Sequence, residues 1–359
     1  MFGNRRRFWR SEPPYVGCYD LKNNSPWTAF VLSFVRNCYL IWNSGGMRWS
    51  GWKPNLFEKR WIKSADENPQ RTNRKSARVE RQSMKERLDV VGYWTEIKLQ
   101  ILQEYANAYA QVLKNQRSIK HVAYVDGFAG AGAHISKQSG KVIAGSPALI
   151  LGIQPRFSHY HFVEMDAARA ERLHGLGDQK DVTVYQGDCN EVLLQEIFPQ
   201  CRYEDYRRAL CLLDPYDLNL NWDVVATAGK MRSIEIFLNF MIMDANMNVL
   251  WKNPDSVPSD QAARMTKFWG DESWRTAAYR TEQGLFEPIE EKASNESVVA
   301  AYRKRLKEVA GFKFVPEPLP MCNSCGAVVY YLLFASQNST GNKIAEHIFK
   351  KYRSRVTHK

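Results

Sequence analysis

Residues 121–132 read HVAYVDGFAGAG: a short apolar run that ends on Asp126 and meets glycines at 127, 130 and 132. β-Branched and aromatic residues at this density favour a buried strand. Glycine then lets the backbone turn tightly and come close to a ligand. A strand that discharges straight into small residues is either the opening of a mononucleotide-binding unit, whose strand belongs in a parallel sheet covered by helices on both faces, or only a flexible loop. The spacing departs from the simplest fingerprint, because the loop continues through HISKQSGKVIAGSP before the helical stretch PALILGI. Ser146 followed by Pro147 reads as an N-cap with proline at the first helical position.

A Gly-rich turn alone is a common loop, so the later strand ends matter more. SHYHFVEMD (158–166) is a second strand ending in acidic residues, where a carboxylate can accept hydrogen bonds from ribose hydroxyls. Glu164 is the first choice for that role and Asp166 the second. DVTVYQGDCNEVL gives a third strand ending at Gly187 and Asp188. Ala209 to Leu213 form a fourth, which delivers Asp214, Pro215 and Tyr216, and Ile234 to Phe240 form a fifth. Each acidic end could simply cap a helix or sit in a solvated turn. Ligands of open α/β sheets bind beyond the carboxyl ends of the strands, so in this order the ends converge on one rim.

The flanking segments complete the architecture. From Val91, Trp94, Ile97, Ile101, Tyr105, Ala108 and Val112 recur at helical steps, a packing face that begins near Gly92 or Thr95. After the fifth strand comes a largely helical insertion with Trp251, Phe268, Trp269 and Trp274, aromatics that pack in a core or stack on a base. Asp244, Asn246 and Asn248 line the acceptor side or cap helices. The helix ESVVAAYRKRLKEVAGF carries Arg303, Lys304, Arg305 and Lys307, a solvated face or a phosphate contact. Two strands and a basic helix close the chain. The expected division is a basic, poorly ordered extension over 1–83, a Rossmann-like core over 84–241, the insertion over 242–296, and a helix–strand–strand–helix segment over 297–359. That last segment either completes the sheet or forms a winged-helix-like unit.

The formal charge of +12 invites a nucleic-acid reading, but it is unevenly spread. Residues 1–87 hold 18 Lys and Arg against 7 Asp and Glu; the rest of the chain is nearly balanced, with 32 against 31. The basic arm could touch phosphates, which would make binding salt-sensitive. Its one apolar run, Thr28 to Trp42, is interrupted by Arg36 and Asn37 and is too short to span a bilayer. Seven scattered cysteines form no disulfide framework, and Cys322 with Cys325 lacks the second pair that a structural zinc needs. No metal is expected, and the compartment is expected to be cytoplasmic.

The order Gly-rich loop, acidic end, acidic end, Asp-Pro-Tyr resembles the class I S-adenosylmethionine (SAM)-dependent methyltransferases. Asp214-Pro215-Tyr216 is also similar to the Asp/Asn-Pro-Pro-Tyr tetrapeptide of enzymes that methylate exocyclic amines of bases, with one proline here instead of two. Over roughly 91–353 the chain resembles the three-Cys-motif partner (TcmP) family. The likeness is carried by GYWTEIKLQIL, YVDGFAGAGAH, GSPALIL, YHFVEMD, GDCN, LLDPYDLNLNW, FLNFMIMDANMN, FWGDESW and VVYYLLFAS. Asp217 stands where that family's pattern has Gly. The resemblance implies SAM as cofactor, with Asp126, Gly127, Phe128, Ala129, Gly130 and Gly132 around its methionine part, Glu164 at the ribose and Asp188 at the adenine. Asp214, Pro215 and Tyr216 would orient an acceptor amine, which is catalysis largely by positioning. Implied partners are nucleic acid, DNA or RNA, and a three-Cys-motif radical SAM-type protein. The alternative is a non-catalytic partner that keeps the fold. A nuclease ranks last, since no compact Asp/Glu-x-Lys cluster stands out.

Overall fold

The computed structural model describes residues 88–176, 180–283 and 288–357, so the expected basic extension over 1–83 lies outside the described residues. In chain order the elements are β1 (Val90–Val91), α1 (Tyr93–Lys114), β2 (His121–Asp126), β3 (Ala133–Ser136), β4 (Val142–Ala144), α2 (Ser146–Leu151), β5 (His159–Glu164), α3 (Ala167–Leu176) and β6 (Val182–Gln186). There follow α4 (Cys189–Val192), β7 (Arg207–Leu213), α5 (Trp222–Met231), β8 (Ile234–Phe240), α6 (Ile242–Asn248), α7 (Ser259–Trp269) and α8 (Trp274–Ala278). The chain closes with β9 (Tyr279–Gln283), β10 (Pro288–Lys292), α9 (Asn295–Glu308), β11 (Leu319–Cys322), β12 (Val328–Ala335) and α10 (Ser339–Thr357).

The main sheet runs β6–β5–β2–β7–β8–β12–β11. Its first five strands are parallel, while β12 is antiparallel to both β8 and β11. Numbered along the sheet's own strands this is 3-2-1-4-5-7-6, which differs from the dinucleotide-binding order by the antiparallel strand inserted before the edge. It is the Rossmann-like, class I methyltransferase-type sheet expected from the strand pattern. The order reverses between β2 and β7, and the crevice at that switch point receives both the Gly-rich loop and Asp214.

Two apolar cores sandwich the sheet, because its strands alternate into both. Ala209, Cys211 and Leu213 of β7 pack with α5, α7 and α9; Leu210 and Leu212 pack with α1, α2 and α10. Burying each such leucine is worth about 1.5–3 kcal/mol, so a polar residue in this run would be costly. The C-terminal segment joins the sheet through β11 and β12, and α10 packs back on α1.

Four local expectations need correction. The loop after the glycines contains β3 and β4, an antiparallel pair to which β1 adds in parallel. Ser146 is the first helical residue of α2 rather than its cap; Gly145 holds the cap position, and the Ser146 hydroxyl turns to Asp126. The insertion is not only helical, for β9 and β10 form an antiparallel hairpin within it. The buried stripe of α1 also shifts, with Leu102, Tyr109 and Leu113 buried where Ala108 and Val112 were expected. A helix held between a sheet and α10 buries a wider stripe than one apolar face predicts.

Candidate functional site

The Gly-rich loop is pinned by the two strands beside β2. Gly127 N donates to Leu212 O at 2.9 Å on β7, and Ala129 N donates to Val163 O at 3.0 Å on β5. Gly130 has φ +62°, and a Cβ there would meet nothing within 4 Å, so the loop backbone faces open space at this point. Asp126 is fully buried beneath the loop. Its Oδ1 accepts from Phe128 N at 3.2 Å, Tyr124 OH lies 3.4 Å from Oδ2, and the Ser146 hydroxyl adds a further bond. Burial pushes this carboxyl up to about 7, only partly countered by the Ser146 and Phe128 bonds.

A cavity of about 140 Å³ opens between this loop and the end of β7. Phe128, Ala129 and Gly130 form one wall; Asp214, Pro215, Tyr216 and Asn239 form another, with Lys98 of α1 and His134 of β3 between them. The Asp214 carboxylate is gripped on both oxygens, by Lys98 Nζ on Oδ2 and by Asn239 Nδ2 on Oδ1. Two of the cavity-lining residues, Asn239 and His134, each carry a buried polar atom, Oδ1 and Nδ1, with no hydrogen-bond partner among the described residues. Burial, assisted by the positive charge of Lys98, holds His134 below the usual imidazole range, so it is neutral near pH 7. Buried polar atoms left unmatched normally find a water or a ligand group.

Across the mouth runs a strap. Asp89, just before β1, accepts from Tyr216 OH at 3.0 Å and from Arg169 of α3 at 2.9 Å, and Arg169 also reaches Tyr216 OH at 3.3 Å. Tyr216 is thereby tied to the rim, where it lines the mouth of the cavity and stays 64 % exposed.

The structure brings together six of the residues singled out by sequence: Phe128, Ala129, Gly130, Asp214, Pro215 and Tyr216. The others stand outside the cavity wall. Asp126 organises the loop from below. Gly127 backs onto Leu193, and Gly132, at φ +73°, has no room for a Cβ against Leu176. Glu164 is half-buried at the end of β5, where its Oε1 accepts from Asp166 N at 2.9 Å. Asp188 caps α4, accepting from Asn190 N at 2.7 Å. Asp166 accepts from Arg169 N at 2.9 Å at the start of α3. Sequence reasoning missed Lys98, His134, Asp89 and Arg169. The signal for Lys98 was present: it stands four residues after Trp94 and three before Ile101, inside the apolar stripe of α1.

Several other expectations resolve as architecture. Phe268, Trp269 and Trp274 are buried in the core around Tyr302, and Trp251 donates to Met247 O at 2.9 Å. Asp244 pairs with Arg264 at 2.9 Å, Asn248 bonds Asp244, and Asn246 bonds Asn295, so none of the three lines the cavity. On α9, Arg303 is paired with Glu317 and Arg305 with Asp271 at 2.5 Å, so two cations of the basic stripe are spent on structure. Cys322 and Cys325 are free thiols, and among the described residues no three His, Cys, Asp or Glu side chains gather as metal ligands would. Among the described residues no helix is long and apolar enough to cross a membrane.

No protein-family model and no curated protein matches the sequence. Solved structures match the fold distantly. A Legionella pneumophila protein of family DUF519 aligns at 11 % identity over 72 % of this chain and 91 % of its own, with a TM-score of 0.44. A proposed SAM-dependent methyltransferase from Listeria monocytogenes aligns at 10 % identity over 65 % of this chain and 99 % of its own, with a TM-score of 0.33. A proposed zinc-dependent alcohol dehydrogenase from Rhodobacter sphaeroides aligns at 12 % identity over 64 % and 88 %, with a TM-score of 0.29. Scores below 0.5 that span two chemistries carry no argument about activity. The fold assignment rests on the strand order itself.

Proposed function

We propose that the chain is a SAM-dependent methyltransferase whose acceptor is an exocyclic amine of a nucleic-acid base, in keeping with the sequence resemblance to the TcmP family. One observation carries the reading. At the switch point of a methyltransferase-type sheet, Asp214, Asn239 with its unmatched Oδ1, and Gly130 with its open face line a single cavity. An acceptor carboxylate beside an unmatched amide oxygen suits a nitrogen that brings hydrogens to donate. Phe128, Ala129 and Gly130 would hold the methionine part of SAM; Glu164 and Asp188, at the ends of the next two strands, are the candidates for ribose and adenine. SAM, when bound, supplies an electrophilic methyl group. The chain's own task is to aim the amine, with Asp214 and Asn239 accepting its hydrogens so that the nitrogen lone pair faces the methyl. We take the compartment to be cytoplasmic, on the free thiols.

The second reading, a non-catalytic partner that binds nucleic acid or a radical SAM-type protein, is favoured by Tyr216. That ring is held at the rim by Asp89 and Arg169, and Asp217 behind it faces Arg264 at 3.4 Å. The deciding experiment incubates the protein with methyl-labelled SAM and separate DNA, RNA and protein fractions, beside calorimetry with S-adenosylhomocysteine. Label in a nucleic-acid fraction that vanishes in Asp214→Asn, with cofactor affinity kept within about threefold, supports the enzyme. Tight cofactor binding with no transfer to any fraction favours the partner.

A further inference from the structure

Lys98 is the least expected member of the cavity wall. It sits on the packing face of α1, only 6 % exposed, and its ammonium meets Asp214, whose side chain is 25 % exposed. A buried lysine without a counter-ion is costly, and Asp214 is its only ion-pair partner among the described residues. The remaining groups on the inner wall carry no charge: Thr95, Ser146, Asn239, Tyr330 and the neutral His134. Asp89 and Arg169 at the mouth neutralise each other. Asp126 lies behind Ser146, fully buried and outside the wall. The inner cavity is therefore polar but balanced in charge.

We infer that Lys98 is a positioning residue that fixes the acceptor class: by neutralising Asp214 it makes the cavity select an uncharged nitrogen, an aryl amine or an amide, and reject an ammonium or guanidinium. The inference rests on the reading of this cavity as the acceptor site. A carboxylate offers about four lone-pair positions. Lys98 and Asn239 occupy two, so Asp214 can still accept from an incoming N–H while its charge is already matched. A cationic side chain entering the cavity would be desolvated with no free counter-charge, and the Lys98 ammonium would repel it. A neutral amine pays neither cost. The acceptor chemistry this favours is that of base amines and amide side chains, against protein lysines and arginines.

The test uses aniline and benzylamine, two ring compounds of similar shape that are respectively neutral and cationic near neutral pH. Ligand-observed NMR measures their binding to the full-length protein saturated with S-adenosylhomocysteine. Wild type is expected to bind aniline and to leave benzylamine at least about tenfold weaker. Lys98→Met and Lys98→Gln, each first shown to fold by its melting transition, are expected to reverse that order, because the bared Asp214 carboxylate then attracts the cation. A merely structural lysine would not reverse a preference. Benzylamine binding wild type as well as aniline, an unreversed preference in both folded variants, or binding of neither probe to any of the proteins overturns the inference. Failure of the methyltransferase reading looks different: no S-adenosylhomocysteine binding and no methyl transfer, with the charge-dependent reversal still present in the unliganded protein.

Discussion

The strap at the mouth makes a quantitative demand on any ligand of cofactor size. The cavity measures about 140 Å³, below the ~300–1,000 Å³ of most small-molecule sites, and Asp89 lines it, so release of the wall that Asp89 holds is expected to widen the space open to a ligand. Two interactions hold it: the Tyr216 hydroxyl on Asp89 Oδ2 at 3.0 Å and the Arg169 guanidinium on Oδ1 at 2.9 Å. A hydroxyl–carboxylate bond is worth about 1 kcal/mol net. The ion pair joins side chains that are 28 % and 33 % exposed, so solvent reduces it to about 0.5 kcal/mol. Together they bias the closed arrangement by about 1.5 kcal/mol, which leaves the open one roughly a tenth populated and weakens apparent affinity about tenfold. Asp89→Ala removes both contacts but keeps the backbone bond from Ile135 N to Asp89 O at 2.9 Å, so the β1 pairing survives. Calorimetric titration with S-adenosylhomocysteine is expected to show binding about tenfold tighter in Asp89→Ala, with Asp89→Asn between the two. Unchanged or weaker binding in Asp89→Ala would refute the reasoning and make Asp89 either a bystander or a ligand contact.

The buried charges give two further expectations. Removing either member of the Lys98–Asp214 pair is unequal in cost: Asp214→Ala strands an ammonium on a side chain 8 % exposed and should lose about 3 kcal/mol, while Lys98→Met leaves a carboxylate that water can reach and should lose about 1 kcal/mol. Urea midpoints measure both, and equal losses would contradict the asymmetry. Stability should also fall as pH rises from the ordinary carboxylate range towards about 7, because burial lifts Glu235 from 4.5 to about 7, despite bonds from Tyr105 and Ser336. Across that window the native state keeps a proton that the unfolded chain has released, which costs about 3 kcal/mol by its upper end. Asp126, raised to about 7 by burial, acts in the same direction. Glu235→Gln should flatten about half of the slope; a slope unchanged in that variant would show that Glu235 does not titrate as its burial implies.

What could be read from the chain, and what could not, divides along the range of the interactions. The five parallel strands of the main sheet were legible because most are local, nearly unbroken apolar runs; Ile234 to Phe240 is found with the bounds expected, since every residue of it is buried. The Gly-rich loop and Asp214 were legible because a parallel sheet delivers its strand ends to one rim whatever lies between them. The hairpin of β3 and β4 was not, for it is held by pairing with β1, more than forty residues upstream, and by the bond from Gly145 N to Gly132 O at 2.9 Å. Lys98 was not, because a lone charge on an apolar helical face has no visible partner until the fold brings Asp214, 116 positions later, against it. Its placement inside the stripe was the clue, since a lysine that folding forces into a core must carry its counter-ion with it. The strap shows the opposite failure. The motif places Tyr216 beside Asp214 to orient an acceptor, and it cannot see Asp89 and Arg169, which hold the ring at the rim. In a sheet of this kind the strand ends fix where chemistry can occur, while the residues that set charge and access come from helices and straps whose sequences carry no motif.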